Sequence, residues 1–334
     1  MDRYARQTIL PQVGASGQAA LSQAAIAVIG AGGLGCPALQ YLVGAGVDAI
    51  TIIDPDVVNI SNLHRQPLYG AASQGQAKVA AAKAALNDLN GDVRIEAICE
   101  PLTPANVAAI TAGADVIMDC ADSFAATYTL SDYCWQQHIP FISASALALS
   151  GYAGGFCGGA PSLRAVFPAL PSNLANCASA GVLGPVVGVL GALQAQMALE
   201  VILQLEPSPL GQVITIDFTR QHFASFRFDG APEPAQPVFP FIAASAITAA
   251  DAVIELRAVE EAPQAVTASA MRTSVADLQA QRAVLPAGDR LVFCCRSGLR
   301  AWRAASVISG HDTRPIALVA LGDTPVGPTT GPSH

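Results

Sequence analysis

Charge is scarce in this sequence. Of 334 residues only 17 are Lys or Arg and 25 are Asp or Glu, 13% in all, where about 25% is usual for soluble domains. The shortage of cations excludes the basic stripe with which proteins neutralise nucleic-acid phosphates, so no nucleic-acid partner is expected. The net charge of −8 leaves neutral or basic surfaces as the easier ones to approach. Disorder is excluded for the bulk of a chain that is 52% apolar. The 29 Gly and 23 Pro, spread throughout, exclude a continuous coiled coil. No two of the eight Cys are spaced as CxxC, which excludes a zinc centre built from two such pairs. The opening MDRYARQ has no apolar signal core. The expectation is a cytoplasmic protein whose cysteines are free thiols. Two uncharged stretches, 139–163 and 178–199, are long enough to cross a bilayer. Glycines break the first, and Pro185, Gln194 and Gln196 interrupt the second. Both are read as buried core, with no membrane partner.

What is present is an alternation. Apolar runs at 25–29, 49–53, 93–99, 116–120 and 139–145 read as strands, and 36–45, 76–89, 104–111 and 125–137 read as helices. Such a pattern predicts an α/β fold, a doubly wound, Rossmann-like and mostly parallel sheet. Hairpin-like strands after 154, an apolar helix over 184–203 and a strand at 212–217 predict an antiparallel extension. Pro232, Pro234, Pro237 and Pro240 mark an extended linker. The expected organisation is a domain over 1–228, a linker over 229–241, a small α/β domain over 242–322 and a disordered tail over 323–334.

The first strand runs into Gly30-Ala31-Gly32-Gly33-Leu34-Gly35 and then a helix. A glycine turn there lets backbone amides approach a phosphate at the helix N-terminus. Asp54, 19 residues after Gly35, suits a ribose hydroxyl. Taken alone, the turn also fits an unliganded bend, and its default ligand-binding reading is a nicotinamide dehydrogenase. Asn62, Arg65, Lys78 and Asp122 argue for another ligand. Gathered at strand ends, they suit a triphosphate and a divalent cation.

These motifs also occur in a telling order: RYARQ at 3–7, GAGGLG at 30–35, IIDPD at 52–56, SNLHRQ at 61–66, GQAKV at 75–79, DCAD at 119–122 and NCASAGVLGP at 176–185. Over about the first 225 residues the chain resembles the MoeB/ThiF/HesA family, relatives of ubiquitin-activating enzymes. The resemblance implies ATP with magnesium as cofactors and adenylation of the C-terminal glycine of a small ubiquitin-like, β-grasp carrier ending in Gly-Gly. Carried over residue by residue, it implies that Gly30, Gly32, Gly33 and Gly35 cradle the nucleotide and that Asp54 holds the ribose. Asn62, Arg65 and Lys78 would position phosphates and Asp122 would bind magnesium. Arg6 resembles an arginine that reaches the ATP of a partner subunit, which implies a homodimer. Cys177 matches a cysteine that in ThiF-like members links covalently to the carrier, and Cys36, Cys99, Cys120, Cys134 and Cys157 read as structural. There are departures. Ser162 and Ala165 stand where many relatives have zinc-binding cysteines, so zinc is expected to be absent. Ser123 replaces an Asn, and Thr127 stands where an Arg is usual.

Near the C-terminus an apolar strand at 291–294 opens into Cys295-Arg296-Ser297-Gly298-Leu299-Arg300 and an Ala-rich helix over 301–308. Amides and two arginines around Cys295 predict a depressed thiol pKa. The loop resembles the CRSGxR loop of rhodaneses, with Cys295 as persulfide carrier and Arg296, Ser297, Gly298 and Arg300 holding the anion. Val253 to Arg257 resembles that family's opening strand, with Glu255 where Asp is usual, but its GHIPGA-like segment is not recognisable in 260–275. Together the two resemblances imply an adenylyltransferase with sulfurtransferase activity: carrier adenylation, then sulfur transfer from a Cys295 persulfide, itself supplied by a persulfide donor, to give a thiocarboxylate. The alternatives are ATP-dependent activation of a peptide or small carboxylate, with the rhodanese-like domain a non-catalytic docking module, and a non-catalytic scaffold. A dehydrogenase is the remotest.

Overall fold

The computed structural model describes residues 3–170, 181–235 and 239–322. The chain divides into two units. The larger holds the chain up to Leu102 with Asn106–Asp122 and Leu130–Pro234; the smaller holds Thr103–Ala105, Ser123–Thr129 and the chain from Ala235 on.

In chain order the larger sheet and its helices are α1 (Ala5–Thr8), α2 (Gly14–Leu21), β1 (Ala25–Ile29), α3 (Gly35–Ala45), β2 (Ala49–Ile53), α4 (Lys78–Leu89), β3 (Arg94–Ile98), α5 (Val107–Ile110), β4 (Val116–Asp119), α6 (Phe124–Gln137), β5 (Phe141–Leu147), β6 (Ser150–Phe156), α7 (Leu163–Val166), α8 (Gly184–Ile202), β7 (Gln212–Asp217) and β8 (His222–Arg227). The eight strands lie in the order β3-β2-β1-β4-β5-β6-β7-β8. The first five are parallel and the last three antiparallel, as the sequence pattern predicts. β1 and β4 consist almost wholly of buried apolar residues because they sit mid-sheet with both faces covered. α8 packs on α3 and across β4, β5 and β6. It is also the one described helix long and apolar enough to cross a bilayer, and its Val186, Val187, Leu190, Met197 and Ala198 are buried in the core. Strand order reverses between β1 and β4. In an open α/β sheet, the crevice beyond the carboxyl ends of such a pair is where ligands sit.

The smaller unit contains β9 (Asp251–Glu255), β10 (Met271–Arg272), α9 (Val275–Gln279), β11 (Arg290–Cys295), α10 (Leu299–Ile308) and β12 (Ile316–Ala320). Its strands are all parallel, in the order β10-β9-β11-β12. Val253, Val292, Cys294 and Val319 form one core cluster, with Ile242, Ile247 and Leu321 packed against it.

Candidate functional site

The glycines of the loop after β1 have different reasons to be glycine. Gly30 has φ +99°, and a Cβ there would stand 2.5 Å from the carbonyl oxygen of Cys120 at the end of β4. At Gly35 a Cβ would meet the Gly30 carbonyl oxygen at 2.0 Å, and at Gly33 it would meet Val187 of α8 at 2.9 Å. At Gly32 the nearest atom would be Gln66 Nε2 at 3.6 Å, ordinary contact. Packing within the chain therefore explains three glycines and leaves Gly32 open to the crevice, the position where a bare backbone meets a pyrophosphate.

The acidic end of β2 holds this loop from behind. Asp54 is buried, and its Oδ2 accepts the Ala31 amide at 2.8 Å while its Oδ1 accepts the Asp56 amide at 2.8 Å. A carboxylate has about four acceptor sites, so two remain for hydroxyls. Burial pushes the Asp54 carboxyl above its usual range, against the pull of Lys78 and the two amides. Lys78, at the start of α4, places Nζ 2.8 Å from Asp56 and 3.8 Å from Asp54, with its own side chain 7% exposed. Its charge thus faces the acidic strand end rather than bulk water. The Tyr69 hydroxyl donates to the Ala31 carbonyl at 2.7 Å and fixes the loop from a third direction.

The SNLHRQ segment begins as a tight turn. Asn59 Oδ1 accepts the Ser61 amide at 2.9 Å and the Ser61 hydroxyl at 2.8 Å. The amides of Arg65 and Gln66 both donate to the Asn62 carbonyl. Asn62 and Arg65 are half-buried, and Arg65 Nη1 lies 2.8 Å from His64 Nε2. Gln66 is one residue that sequence reasoning missed. It is buried, and its Oε1 has no hydrogen-bond partner. A buried, unpaired amide oxygen is costly unless something else pairs with it. A second is Gln194 on α8, wholly buried, whose Nε2 donates to the Asp119 carbonyl at 2.8 Å. Asp119 also accepts the Ser143 hydroxyl and the Ala121 amide, so the end of β4 is rigid up to the exposed Asp122. Gln66 closes the SNLHRQ motif, but the motif assigns it no role of its own, and Gln194 carries no charge or spacing signal that marks it.

The residues present fit a nucleotide: steric room at Gly32, an unpaired acceptor at Gln66, residual acceptor sites on Asp54 and the cations Arg65 and Lys78. Arg6 does not join them. It is exposed on α1, whose Gln7 donates to the Ala45 carbonyl at 2.8 Å. That is the far end of α3, roughly 16 Å from the glycine loop at 1.5 Å per residue. Cys177 lies outside the described residues. Zinc does not fit. Ser162, in place of a thiolate, donates its amide and hydroxyl to the Glu233 carboxylate at 2.5 and 2.6 Å. Among the described residues, no three His, Cys, Asp or Glu are grouped to hold a metal ion.

In the smaller unit the cysteine loop closes on its own sulfur. Cys295 is fully buried, and its Sγ accepts the Ala301 amide at 3.3 Å. This corrects the sequence expectation. Burial pushes the thiol up, and it outweighs the amides of Ala301, Gly298 and Arg300 and the Arg300 charge, which pull it down. Arg300 does not project freely over the loop: Nη1 donates to Glu261 at 2.7 Å and to the Leu256 carbonyl at 3.0 Å, and Nη2 donates to Glu261 at 2.5 Å. Glu255 and Arg257 form a buried pair at 2.7 Å beside it. Of the other cysteines, Cys36 is pushed up to about 12 by burial. Cys120, Cys134, Cys157 and Cys294 are likewise buried and raised. Cys99, expected to be structural, is exposed.

A model described as the ThiF family matches residues 4–238. The adenylyltransferase and sulfurtransferase MOCS3 of Bos taurus is 44% identical over 228 residues, which cover 67% of this chain and 50% of that protein. The adenylyltransferase and sulfurtransferase uba4 of Pyricularia oryzae is 41% identical over 229 residues, covering 64% and 47%. The chain spans about half the length of these relatives. Among solved structures, E. coli MccB with ATP matches with a TM-score of 0.62 at 23% identity, over 70% of this chain and 74% of that one, a likeness of fold.

Proposed function

Because this chain belongs to the ThiF family, we propose that its larger unit binds ATP with magnesium and adenylates the C-terminal glycine of a small β-grasp carrier, and that its smaller unit then supplies sulfur. The observation that carries the first half is the open backbone at Gly32 above a buried acidic strand end. Amides there bind phosphate oxygens, the free acceptor sites of Asp54 take ribose hydroxyls, and Asn62, Arg65 and Lys78 orient the phosphates. Asp122 is the residue that would hold magnesium. Arg6, far from its own chain's loop, acts on a second copy in a homodimer. Bound ATP brings a phosphoanhydride that breaks when the carrier carboxylate attacks, and holding that geometry is the chain's contribution.

For the second half, a persulfide on Cys295 attacks the activated acyl carbon through its outer sulfur, and AMP leaves. A thiol then cleaves the S–S bond of the acyl disulfide. The carrier thiocarboxylate departs, and a disulfide remains between that thiol and Cys295. Cys177 is the in-chain candidate for the thiol. The protein works in the cytoplasm without zinc, the turn at Ser162 being closed by Glu233. The test is mass spectrometry of a carrier ending in Gly-Gly after incubation with the protein, Mg-ATP and a persulfide donor. The expected gain is one oxygen replaced by sulfur, absent with Cys295→Ala. Release of AMP with no such gain would overturn the sulfur step.

That burial pushes the Cys295 thiol up favours a second reading: an enzyme that activates a peptide or small carboxylate, with the smaller unit a docking module. Pyrophosphate exchange in the absence of any carrier would support it.

A further inference from the structure

The two arginines of the cysteine loop suggest an anion trap, yet the pairing of Arg300 speaks against one. Both oxygens of Glu261 take its guanidinium, and the Leu256 carbonyl takes a third donation. The fork-to-fork geometry holds the two charges as a unit. A neutralised pair acts at a distance only as a dipole, much weaker than a lone cation. The other charged groups of the region are the exposed Arg296 within the loop, Glu260 beside Glu261, Arg272, whose guanidinium donates to the Arg257 and Ala262 carbonyls, and the Glu255–Arg257 pair at the end of β9, which cancels. Glu261 itself lies on the segment after β9, 39 residues from Arg300.

We infer that Glu261 sets the charge selectivity of the cysteine loop: by holding Arg300 it withholds that cation from small anionic sulfur donors, so that Cys295 is loaded from a thiol-borne persulfide and not from a sulfonate-type dianion. The inference rests on the sulfur-transfer reading above. Loading is attack by the Cys295 sulfur on the outer sulfur of R–S–SH. The S–S bond breaks, R–S⁻ leaves with the electron pair, and Cys295 gains one sulfur. Thiosulfate follows the same course with sulfite leaving, but it carries two negative charges into a closed loop. With Arg300 tied to Glu261, one of the loop's two cations is withdrawn from offsetting that desolvation.

Peptide-resolved alkylation of the full chain tests the role of Glu261 without any sulfur chemistry. Iodoacetate is anionic and iodoacetamide neutral. Both require the thiolate, so the ratio of their rates at one cysteine reports local potential and not its pKa. In Glu261→Gln the iodoacetate-to-iodoacetamide ratio at Cys295 should rise about 3–10-fold, as expected for uncovering one partly screened charge, with the ratio at the exposed Cys99 unchanged. No change at Cys295 overturns the inference. In parallel, loading of Cys295 with thiosulfate should accelerate in Glu261→Gln by a similar factor, and loading with glutathione persulfide by less than about twofold. Equal acceleration of both donors overturns the donor assignment. If neither donor loads Cys295 in either protein, the sulfur-transfer reading fails and the donor assignment with it, while the alkylation ratio still decides what Glu261 does to Arg300.

Discussion

The glycine loop after β1 and the cysteine loop after β11 occupy equivalent places, each leaving an interior parallel strand and entering a helix. They use that place in opposite ways. The glycine loop turns its backbone outward at Gly32, and its charges, Asp54 and Lys78, hold it from behind. The cysteine loop turns inward. Its amides surround the Cys295 sulfur, and its terminal arginine is tied to Glu261. A loop that receives a large polyanion has to leave space and polar groups unfilled. A loop that carries one sulfur atom can be closed and electrically balanced before the donor arrives.

The comparison breaks most readily at the glycines. Gly35→Ala forces a Cβ to within 2.0 Å of a backbone oxygen and should cost about 3 kcal/mol or more, seen as a large fall in Tm or loss of soluble protein. Gly32→Ala, where a Cβ has room, should leave Tm unchanged and weaken ATP binding roughly tenfold, about 1.4 kcal/mol, in a calorimetric titration. Equal melting of the two variants would remove the distinction between structural and open glycines.

Acid should separate the two units. In the smaller one, Asp251 paired with Arg290 and Glu261 paired with Arg300 lie below the ordinary carboxylate range. Burial pushes Glu255 up, but the donations from Arg257 and Val266 win and hold it below that range as well. Each such group contributes stability that is complete above its unfolded value, about 4, and lost as pH falls through its lower folded value. Asp54 in the larger unit is raised, so its contribution runs the other way and fades as pH rises. Lowering pH through about 4 should therefore unfold the smaller unit first. The chain has two Trp, so Trp135→Phe leaves buried Trp302 as reporter of the smaller unit. Its fluorescence change should precede the loss of far-UV ellipticity; coincident transitions would contradict the expectation.

The smallest effect belongs to the turn at Ser162. Glu233→Ala removes two hydrogen bonds and should cost about 1–2 kcal/mol. A zinc chelator should leave the Tm of the unaltered protein where it was. A drop in Tm on chelation would show that a metal closes this turn.

Much of this was legible in the sequence. β1, β2 and β7 lie where the sequence pattern puts them; for β1 and β2 the reason is that a buried parallel strand must be apolar throughout. Edges were less legible. The expected helix over 104–111 is a single turn at Val107–Ile110, and the strand expected at 139–145 begins at Phe141, after Pro140. β10 and α9 carry no strong periodicity and were not foreseen. The glycine loop, Asp54 and Lys78 lie together at the carboxyl ends of β1 and β2. What the sequence hid was partnership. Nothing near Arg300 announces a carboxylate 39 residues away, so the loop read as positively charged and its thiol as acidic. Gln66 and Gln194 act through burial, which a residue type alone does not disclose.

The central place of β1 has a consequence for how the protein is made. One edge of β1 pairs with β2 soon after it emerges. The other waits for β4: Ile26 pairs with Val116, ninety residues downstream. At a synthesis rate of about 5–20 residues per second this is roughly five to twenty seconds. During that interval an apolar strand bears an open row of amides and carbonyls, so the stretch from β1 to β4 is the window in which the nascent chain is most exposed to mispairing.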